Sequence, residues 1–313
     1  MPDFSENSTF NQTIKEILNL PSPLQKIEDQ IFDKKQLKVF VKRDDLIHSE
    51  ISGNKWRKLK YNLVKARELG SKSIITFGGA YSNHIYATAA AGKYFGFETI
   101  GIIRGNELNK NSSPTLKFAS ECGMKLCFVS RNEYREMRES PQSNTNILSF
   151  SDSFIIPEGG TNEFALDGVG EMVDEILEQL GFAPDYIICP LGTGGTMAGI
   201  IAKSDTETKV LGICVLKNGQ YLENEINILV ENQINQSKTN YEILWNEHHG
   251  GYAKKTPQLL EFIEVFEGKC HFKIEPIYSG KMFFAFDELI KNDFFKKSST
   301  IVLIHTGGLQ VKN

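Results

Sequence analysis

Short apolar runs alternate along this chain with longer segments of helical periodicity, and few folds accommodate that order. The apolar runs are predicted strands at residues 37–41, 73–77, 99–104, 186–189, 210–215 and 300–305. Several are apolar at every position, as expected of parallel strands covered by helices on both faces. The helical segments include residues 83–95, 167–180, 196–203 and 281–291. This alternation predicts βαβ units, and therefore an α/β protein with mostly parallel, twisted sheets flanked by helices.

The chain length of 313 residues suits two domains. From the order of the elements we predict a small α/β domain, residues 54–156, inserted into a large domain made of residues 1–53 and 157–313. Residues 130–146 are rich in Ser, Asn, Arg and Glu, which predicts a surface connection. Residues 231–240 are rich in Asn and Gln and form a second candidate for irregular structure.

Charge and cysteine content narrow the class of protein. The net charge of −4 gives no reason to expect binding to nucleic acid or to an anionic membrane. No apolar run reaches the ~18 residues of a membrane helix, and the polar N-terminus predicts no signal peptide. The five cysteines show no CxxC spacing, so we predict reduced, buried thiols, no metal site and a cytoplasmic location.

The first segment with possible chemistry is KRDDL at residues 42–46, followed by SGNKWRKL at residues 52–59. The plainer interpretation is a solvated turn and an amphipathic helix with a basic face. The functional interpretation is a lysine, Lys55, at the start of a helix. There the helix dipole and neighbouring cations lower a lysine pKa, and Schiff-base chemistry needs the resulting neutral amine.

Two further segments follow predicted strands and begin predicted helices. The first, GTGGT at residues 192–196, is either an ordinary glycine-rich turn or a loop whose backbone N–H groups bind a phosphate. It matches neither GxGxxG nor a P-loop, which argues against dinucleotide and ATP binding. In the second, GGAYSNH at residues 78–84, Ser82 or Asn83 is a helix N-cap or part of a polar loop that holds a planar ring and a substrate carboxylate.

Together these segments resemble the fold-type II pyridoxal-phosphate (PLP) enzymes related to tryptophan synthase β. The similarity is to the group of 1-aminocyclopropane-1-carboxylate (ACC) deaminase and D-cysteine desulfhydrase. The matching stretches run in the family's order from residue 42 to residue 308: KRDDL, SGNKWRKLKY, GGAYSNH, PEGGTN, GTGGTMAG, PIYSGK and HTGG. The resemblance implies a PLP cofactor, a small amino-acid substrate and a homodimer.

The resemblance also implies roles for individual residues. Lys55 would hold the cofactor as a Schiff base, and Asn83 would bind its 3′-oxygen. Ser279 and Thr306 are alternative contacts for the pyridine nitrogen. The phosphate would be held by Lys58 and by the loop residues Gly192, Thr193, Gly194, Gly195 and Thr196.

On the substrate side, the resemblance implies that Ser82 binds the carboxylate or assists proton transfer. Tyr278 would lie near the face of the ring, and Tyr252 would line the substrate pocket. Tyr81 departs from the family pattern, because relatives often have Gln there. This departure bears on the shape of the carboxylate pocket.

The residue after Tyr278 decides which reaction we expect. ACC has no α-hydrogen, and opening its ring is favoured by a protonated pyridine nitrogen, which a carboxylate maintains. The ACC deaminases that this chain resembles have Glu at that position, whereas Ser279 offers a hydroxyl without a negative charge. We therefore expect α,β-elimination from D-cysteine or a related β-substituted D-amino acid, giving pyruvate, ammonia and hydrogen sulfide.

Three alternatives stay open on the sequence. The first is ACC deaminase, which would release 2-oxobutyrate and ammonia and would use the same Lys55, Ser82, Tyr252 and Tyr278. The second is a homologue that binds PLP or another ligand without catalysis. The third, an L-serine or L-threonine dehydratase, ranks low because the Ser-x-Lys-Ile-Arg context of that lysine is absent.

Overall fold

The computed structural model describes residues 8–141 and 152–309, and two sheets organise this part of the chain. The ten strands are β1 (Leu24–Ile27), β2 (Lys38–Lys42), β3 (Ser73–Gly78), β4 (Glu98–Arg104), β5 (Lys125–Val129), β6 (Ser153–Ile156), β7 (Tyr186–Leu191), β8 (Lys209–Cys214), β9 (Tyr241–Leu244) and β10 (Thr300–Ile304). The larger sheet has six strands in the order β1-β2-β10-β7-β8-β9, and the smaller has four in the order β5-β4-β3-β6. Only the β1–β2 pair of these sheets is antiparallel. The predicted α/β class with mostly parallel sheets is confirmed.

Helices cover the faces of both sheets. In the described residues they are α1 (Ser8–Ile17), α2 (Gln30–Lys35), α3 (Asn54–Glu68), α4 (Asn83–Phe95), α5 (Pro114–Glu121), α6 (Arg131–Glu139), α7 (Glu163–Leu180), α8 (Gly195–Lys203), α9 (Tyr221–Ile234), α10 (Pro257–Cys270) and α11 (Ser279–Lys291). Short 3-10 turns lie at Asp44–Leu46 and Glu158–Gly160. Because helices cover both faces, every residue of β3 and of β10 is buried.

Apolar clusters lie on each side of each sheet. One cluster joins α7, α8 and α9 to the larger sheet, and another joins α10 and α11 to its opposite face. Helix α3 packs with Trp56, Leu59 and Leu63 against α4 and β6 of the smaller sheet. The same helix also contacts α7. It therefore links the two sheets, and the domain boundaries at residues 53/54 and 156/157 stay a prediction.

The polar segment at residues 130–146 differs from its prediction. Residues 131–139 form α6 instead of an irregular connection, and residues 142–146 lie outside the described part. The Ser130 hydroxyl accepts from the Glu133 backbone N–H, and the Glu133 side chain accepts from the Ser130 N–H. This capping box, together with the burial of Tyr134 and Met137, stabilises a helix despite the polar composition.

Other differences are smaller. Helix α9 continues through the first part of the Asn- and Gln-rich segment and ends at Ile234. The strands β1, β5, β6 and β9 were not predicted, because each is short and all four lie at a sheet edge. Of the five cysteines, Cys189 and Cys214 are buried while the other three are half-buried, and all five are free thiols. Within residues 8–141 and 152–309, no helix has the length and apolar composition that a membrane crossing requires.

Candidate active site

A cavity of about 970 Å³ opens where the carboxyl ends of strands from both sheets face each other. In open α/β sheets this edge is the usual place for ligand binding. The cavity wall contains most of the residues expected to form a site: Lys55, Lys58, Ser82, Asn83, Gly192, Thr193, Gly194, Thr196, Tyr252, Tyr278 and Thr306. Gly195 begins the helix directly behind this wall, and Ser279 is buried beside it.

Lys55 lies in the first turn of α3, on the cavity wall. Its amine donates to the Asn54 side-chain oxygen at 3.1 Å. Burial lowers its pKa from the ordinary lysine value of 10.5 to about 8. The lowered pKa was expected, but its cause is burial rather than the neighbouring cations. A large fraction of neutral amine near pH 8 makes Lys55 a competent nucleophile toward an aldehyde.

The start of α3 is held by the end of β10. Gly53 has φ +64, and a side chain there would collide with the Thr306 carbonyl, 1.9 Å from an added Cβ. The Asn54 backbone N–H donates to the same carbonyl at 3.3 Å. Only glycine permits this contact, which brings residues 53–55 and the HTGG segment together. The Asn54 side chain also donates to the Thr196 hydroxyl at 2.9 Å, which connects Lys55 to the glycine loop.

The loop at residues 192–196 has the features of an anion site. Gly194 has φ +78 and is the N-cap of α8, where no side chain caps the free N–H groups. Behind it lies the amine of Lys58, which is 3.1 Å from the position of a Cβ on Gly195. This amine donates to the Gly159 carbonyl at 3.2 Å and to the Thr161 hydroxyl at 3.2 Å. Uncapped helical N–H groups beside a cation are the arrangement that binds phosphate.

Lys58 has no negatively charged partner among residues 8–141 and 152–309. Its side chain is only 2% exposed. Burial, and then the nearby Lys55, hold the pKa of this amine well below its ordinary value. A buried ammonium without a counter-ion is costly, so a dianionic phosphate group at the loop fits the residues that are present.

The loop at residues 79–82 lies on the other side of the cavity. Ser82 is the N-cap of α4, and its hydroxyl accepts from the Ile85 N–H at 3.3 Å. Asn83 begins the helix and lines the cavity. The loop is anchored from behind, because the Ser113 hydroxyl at the start of α5 donates to the Ala80 carbonyl. Ser82 is therefore a helix cap and a cavity residue at once, and the two interpretations of GGAYSNH do not exclude each other.

His84 lines the same cavity and was not predicted as a site residue. The Thr76 hydroxyl donates to the Ile156 carbonyl at 2.9 Å, so it accepts from His84 Nε2 at 2.8 Å. This assignment leaves Nδ1 as an acceptor, and Nδ1 has no hydrogen-bond partner among the described residues. Burial, followed by Lys55 and Lys58, holds the His84 pKa well below its ordinary value. The imidazole therefore stays neutral. In the sequence, only the position of His84 within GGAYSNH could have indicated that it belongs to the site.

Two tyrosines form another part of the wall. The rings of Tyr252 and Tyr278 meet edge to face, with centroids 5.8 Å apart. Burial and the neighbouring Tyr252 raise the pKa of Tyr278 well above its ordinary value, so this phenol stays protonated. The Lys281 amine donates to the Gly251 carbonyl at 2.8 Å and so holds the backbone that precedes Tyr252.

Ser279 is fully buried at the start of α11 and is not part of the cavity wall. Its hydroxyl lies 3.1 Å from a carboxylate oxygen of Glu275. Glu275 is buried as well, and it accepts from the backbone N–H groups of Ile277, Tyr278 and Ser279. Burial raises the Glu275 pKa. The choice between Ser279 and Thr306 as the contact for the pyridine nitrogen stays a prediction.

The charges of KRDDL do not face the cavity. Arg57, two residues after Lys55, pairs with Asp44 at 2.9 Å and with Glu175 of α7 at 2.6 Å. Lys42 pairs with the same Glu175 at 2.6 Å. This buried network ties α3 to β2 and α7. The network gives the dense charges a structural role. The two interpretations of the sequence had instead placed these charges in solvent or beside a ligand.

A lysine with a lowered pKa and a glycine loop suited to binding phosphate, beside a second lysine, thus share one cavity between two mostly parallel sheets. This combination defines the class of PLP-dependent enzymes with the tryptophan synthase β-like fold. When bound, the cofactor would be held by Lys55 at its aldehyde and by Lys58 with the loop at residues 192–196 at its phosphate.

Comparison with known proteins supports this class. Residues 17–307 match the family described as pyridoxal-phosphate dependent enzyme, and the chain belongs to that family. A Thermotoga maritima protein, provisionally named a 1-aminocyclopropane-1-carboxylate deaminase, is 29% identical over 92% of this chain and 94% of its own length. An Arabidopsis thaliana protein named bifunctional D-cysteine desulfhydrase/1-aminocyclopropane-1-carboxylate deaminase, mitochondrial, is 30% identical over 87% of this chain and 72% of its own length.

Solved structures agree on the fold. A structure described as an ACC deaminase homologue superposes with a TM-score of 0.80 at 24% identity, covering 97% of this chain and 96% of the other. A hydrogen sulfide-producing enzyme from Fusobacterium nucleatum superposes with a TM-score of 0.69 at 16% identity, covering 96% and 99%. The predicted family, PLP cofactor and enzyme class are confirmed.

Proposed function

We propose that this enzyme catalyses α,β-elimination from D-cysteine or a related β-substituted D-amino acid, releasing hydrogen sulfide, pyruvate and ammonia. The observation that carries the proposal is Ser279, which offers a buried hydroxyl where ACC deaminases resembling this chain have a carboxylate. A hydroxyl can hydrogen-bond a neutral pyridine nitrogen without forcing its protonation. A less electron-poor ring suits the loss of an α-proton followed by departure of a good leaving group.

Each group of the cavity has a part in this proposal. The bound cofactor withdraws electrons from the substrate α-carbon and stabilises the negative charge that develops there. Lys55 is the base that removes the α-proton, because its amine is lowered in pKa to about 8 and lies in the cavity wall. Ser82 and the positive end of α4 bind the substrate carboxylate.

The remaining residues orient the cofactor and surround the substrate. Asn83 binds the 3′-oxygen of the cofactor, and Thr306 is the second candidate for its pyridine nitrogen. Tyr278 covers the ring, and Tyr252 lines the substrate side. The departing thiolate leaves as hydrogen sulfide after it gains a proton, and water then converts the unsaturated product into pyruvate and ammonia.

A second candidate is ACC deaminase, and one contact favours it. The Glu275 carboxylate lies 3.1 Å from the Ser279 hydroxyl, so a negative charge is one hydrogen bond away from the proposed nitrogen contact. Such a carboxylate could favour a protonated ring through the hydroxyl. The Arabidopsis relative is named for both reactions, so one protein of this kind is associated with both substrates.

The deciding experiment measures products from the PLP-saturated enzyme. Sulfide and pyruvate are assayed with D-cysteine, L-cysteine and β-chloro-D-alanine, and 2-oxobutyrate is assayed with ACC. Lys55→Ala is the control, and we expect it to lose all turnover and the borohydride-sensitive absorbance band while remaining folded. Turnover of ACC without turnover of D-cysteine would refute the elimination proposal in favour of the second candidate.

The role of Ser279 needs its own variant. Ser279→Glu alone would put two carboxylates side by side in a buried place, so Glu275→Gln is introduced with it. We expect the double variant to lower the ratio of D-cysteine to ACC turnover relative to Glu275→Gln alone, because the new carboxylate protonates the ring. An unchanged ratio would mean that Ser279 does not tune the cofactor.

Oligomeric state and location complete the proposal. We propose a homodimer in the cytoplasm, by analogy with the proteins whose motifs this chain resembles. Size-exclusion chromatography with light scattering would test the dimer, and a mass near 35.3 kDa would refute it.

A further inference from the structure

Arg104 gives the cavity a cation that the proposed chemistry does not use. It is the last residue of β4, at the carboxyl edge of the smaller sheet, and it lines the cavity. Its guanidinium lies beside the substrate-side loop, because Nη2 is 3.6 Å from the position of a Cβ on Gly79. Gly79 begins the loop that leads to Ser82, so Arg104 lies on the same side of the cavity as the proposed carboxylate site.

The side chain is held in that direction by a neighbouring ring. The guanidinium carbon of Arg104 lies 5.6 Å from the centroid of the Tyr134 ring. Tyr134 belongs to α6 and is only 2% exposed. A planar guanidinium keeps a defined orientation against an aromatic face. Arg104 is therefore directed by packing, although the side chain itself is exposed to solvent.

The other cations of the cavity wall have partners or assigned functions. Arg138 pairs with Glu158 at 3.2 Å, Lys55 is assigned to the cofactor aldehyde and Lys58 to its phosphate. For Arg104, no carboxylate of residues 8–141 or 152–309 lies within ion-pair distance. An oriented guanidinium without an anion, on the substrate side of a cavity, is suited to binding a carboxylate-like group of a ligand.

We propose that Arg104 binds a second negatively charged group of the substrate, so that the enzyme favours amino acids with an anionic side chain over neutral analogues of the same size. This inference rests on the proposed function, because it assumes that PLP occupies the cavity and that Ser82 with the start of α4 binds the α-carboxylate. Among the β-substituted amino acids of the proposed function, it favours those with a carboxylate or comparable anion beyond Cα. D-cysteine, whose thiol is mostly neutral near pH 7, remains a substrate that does not use this contact.

Aspartate and asparagine test the charge without changing the size of the ligand. Neither has a good leaving group on Cβ, so their dissociation constants can be measured by titration calorimetry on the PLP-saturated enzyme, with both enantiomers. We expect aspartate of the accepted enantiomer to bind at least about tenfold more tightly than asparagine, the effect of one charge-assisted hydrogen bond. Arg104→Gln should bring this ratio close to one, while Arg104→Lys should retain part of it.

Arg138→Gln is the matched control, because Arg138 lines the same cavity but already has a carboxylate partner. We expect it to leave the aspartate-to-asparagine ratio within about twofold, the scale of a screened surface charge. A wild-type enzyme that does not distinguish the two ligands would overturn the inference. So would equal weakening of both ligands by Arg104→Gln, which would assign Arg104 to the α-carboxylate.

The outcome also separates this inference from the proposed function. An enzyme that eliminates sulfide from D-cysteine but binds aspartate no better than asparagine refutes only the role of Arg104. An enzyme that binds neither amino acid and eliminates nothing refutes the proposed function as well.

Discussion

Replacing Lys58 with methionine should move two measurements in opposite directions. Methionine keeps an unbranched apolar side chain of similar length and removes the charge. Within residues 8–141 and 152–309, the buried Lys58 amine has neutral partners only, the oxygens of Gly159, Thr161 and Thr193 at 3.2–3.3 Å. Its removal should stabilise the cofactor-free protein, while the loss of its contact with phosphate should weaken PLP binding.

The magnitudes follow from the surroundings of the amine. Lys58 is only 2% exposed, and burial holds its pKa well below the ordinary value. Each pKa unit corresponds to about 1.4 kcal/mol, so removing the amine should stabilise the cofactor-free protein by more than about 1 kcal/mol. A hydrogen bond between charged partners contributes about 1.5–3 kcal/mol, which corresponds to roughly a 10- to 150-fold loss of PLP affinity. The proposed bond between Lys55 and the cofactor aldehyde does not involve Lys58, so the remaining affinity should stay measurable.

The assay combines urea unfolding of the cofactor-free protein with equilibrium dialysis against PLP. Lys65→Met is the matched control, because Lys65 lies on the same helix, is 38% exposed and pairs with Glu68. We expect this control to change neither quantity by more than about 0.5 kcal/mol. Unchanged PLP affinity in Lys58→Met, or a cofactor-free protein that becomes less stable, would refute the assignment of the phosphate site.

Three further perturbations test other parts of the site. Gly194→Val should sharply lower PLP content, because valine is strained at φ +78 and its Cβ would come within 3.0 Å of Ile226, which forces the loop to shift. Gly181→Val, at φ +79 with no atom near an added Cβ, should lose stability but keep its PLP, and equal PLP loss in both would refute a local effect. In the cofactor-free enzyme the rate of PLP capture should rise with pH around a midpoint near 8, because the lowered pKa of Lys55 makes the neutral amine predominate above that pH; a midpoint above pH 10 would contradict this. Asp44→Asn should lower the free energy of unfolding by about 3–5 kcal/mol, because it leaves the fully buried Arg57 short of a partner, and a loss under 1 kcal/mol would contradict that role.

Much of the fold follows from local patterns that the sequence displays directly. The apolar runs correspond to β2, β3, β4, β7, β8 and β10 within two residues at either end, and residues 83–95 form α4 as predicted. Strands buried on both faces must be apolar throughout, so their sequence signal does not depend on their neighbours. The glycine loop after β7 and the lysine at the start of α3 were recognisable for the same reason, since each needs only a local backbone conformation.

The polar chemistry depended on residues that are distant in sequence. The pairing of Arg57 with Glu175, 118 residues away, turned the dense charges of KRDDL into a buried structural network. Helix α6 formed in a polar segment because a capping box and two buried side chains outweighed its composition.

The active site, too, depends largely on residues that are distant in sequence. Lys58 has no counter-ion within the described residues, and His84 stays neutral, because different strands end at one edge of the fold. The contact between Glu275 and Ser279, four residues apart, is local by comparison. The sequence by itself therefore determined the class of fold and which residues could carry chemistry. Only the tertiary structure decided which charges neutralise one another and which remain for ligands, since burial and pairing arise between residues that the sequence does not bring together.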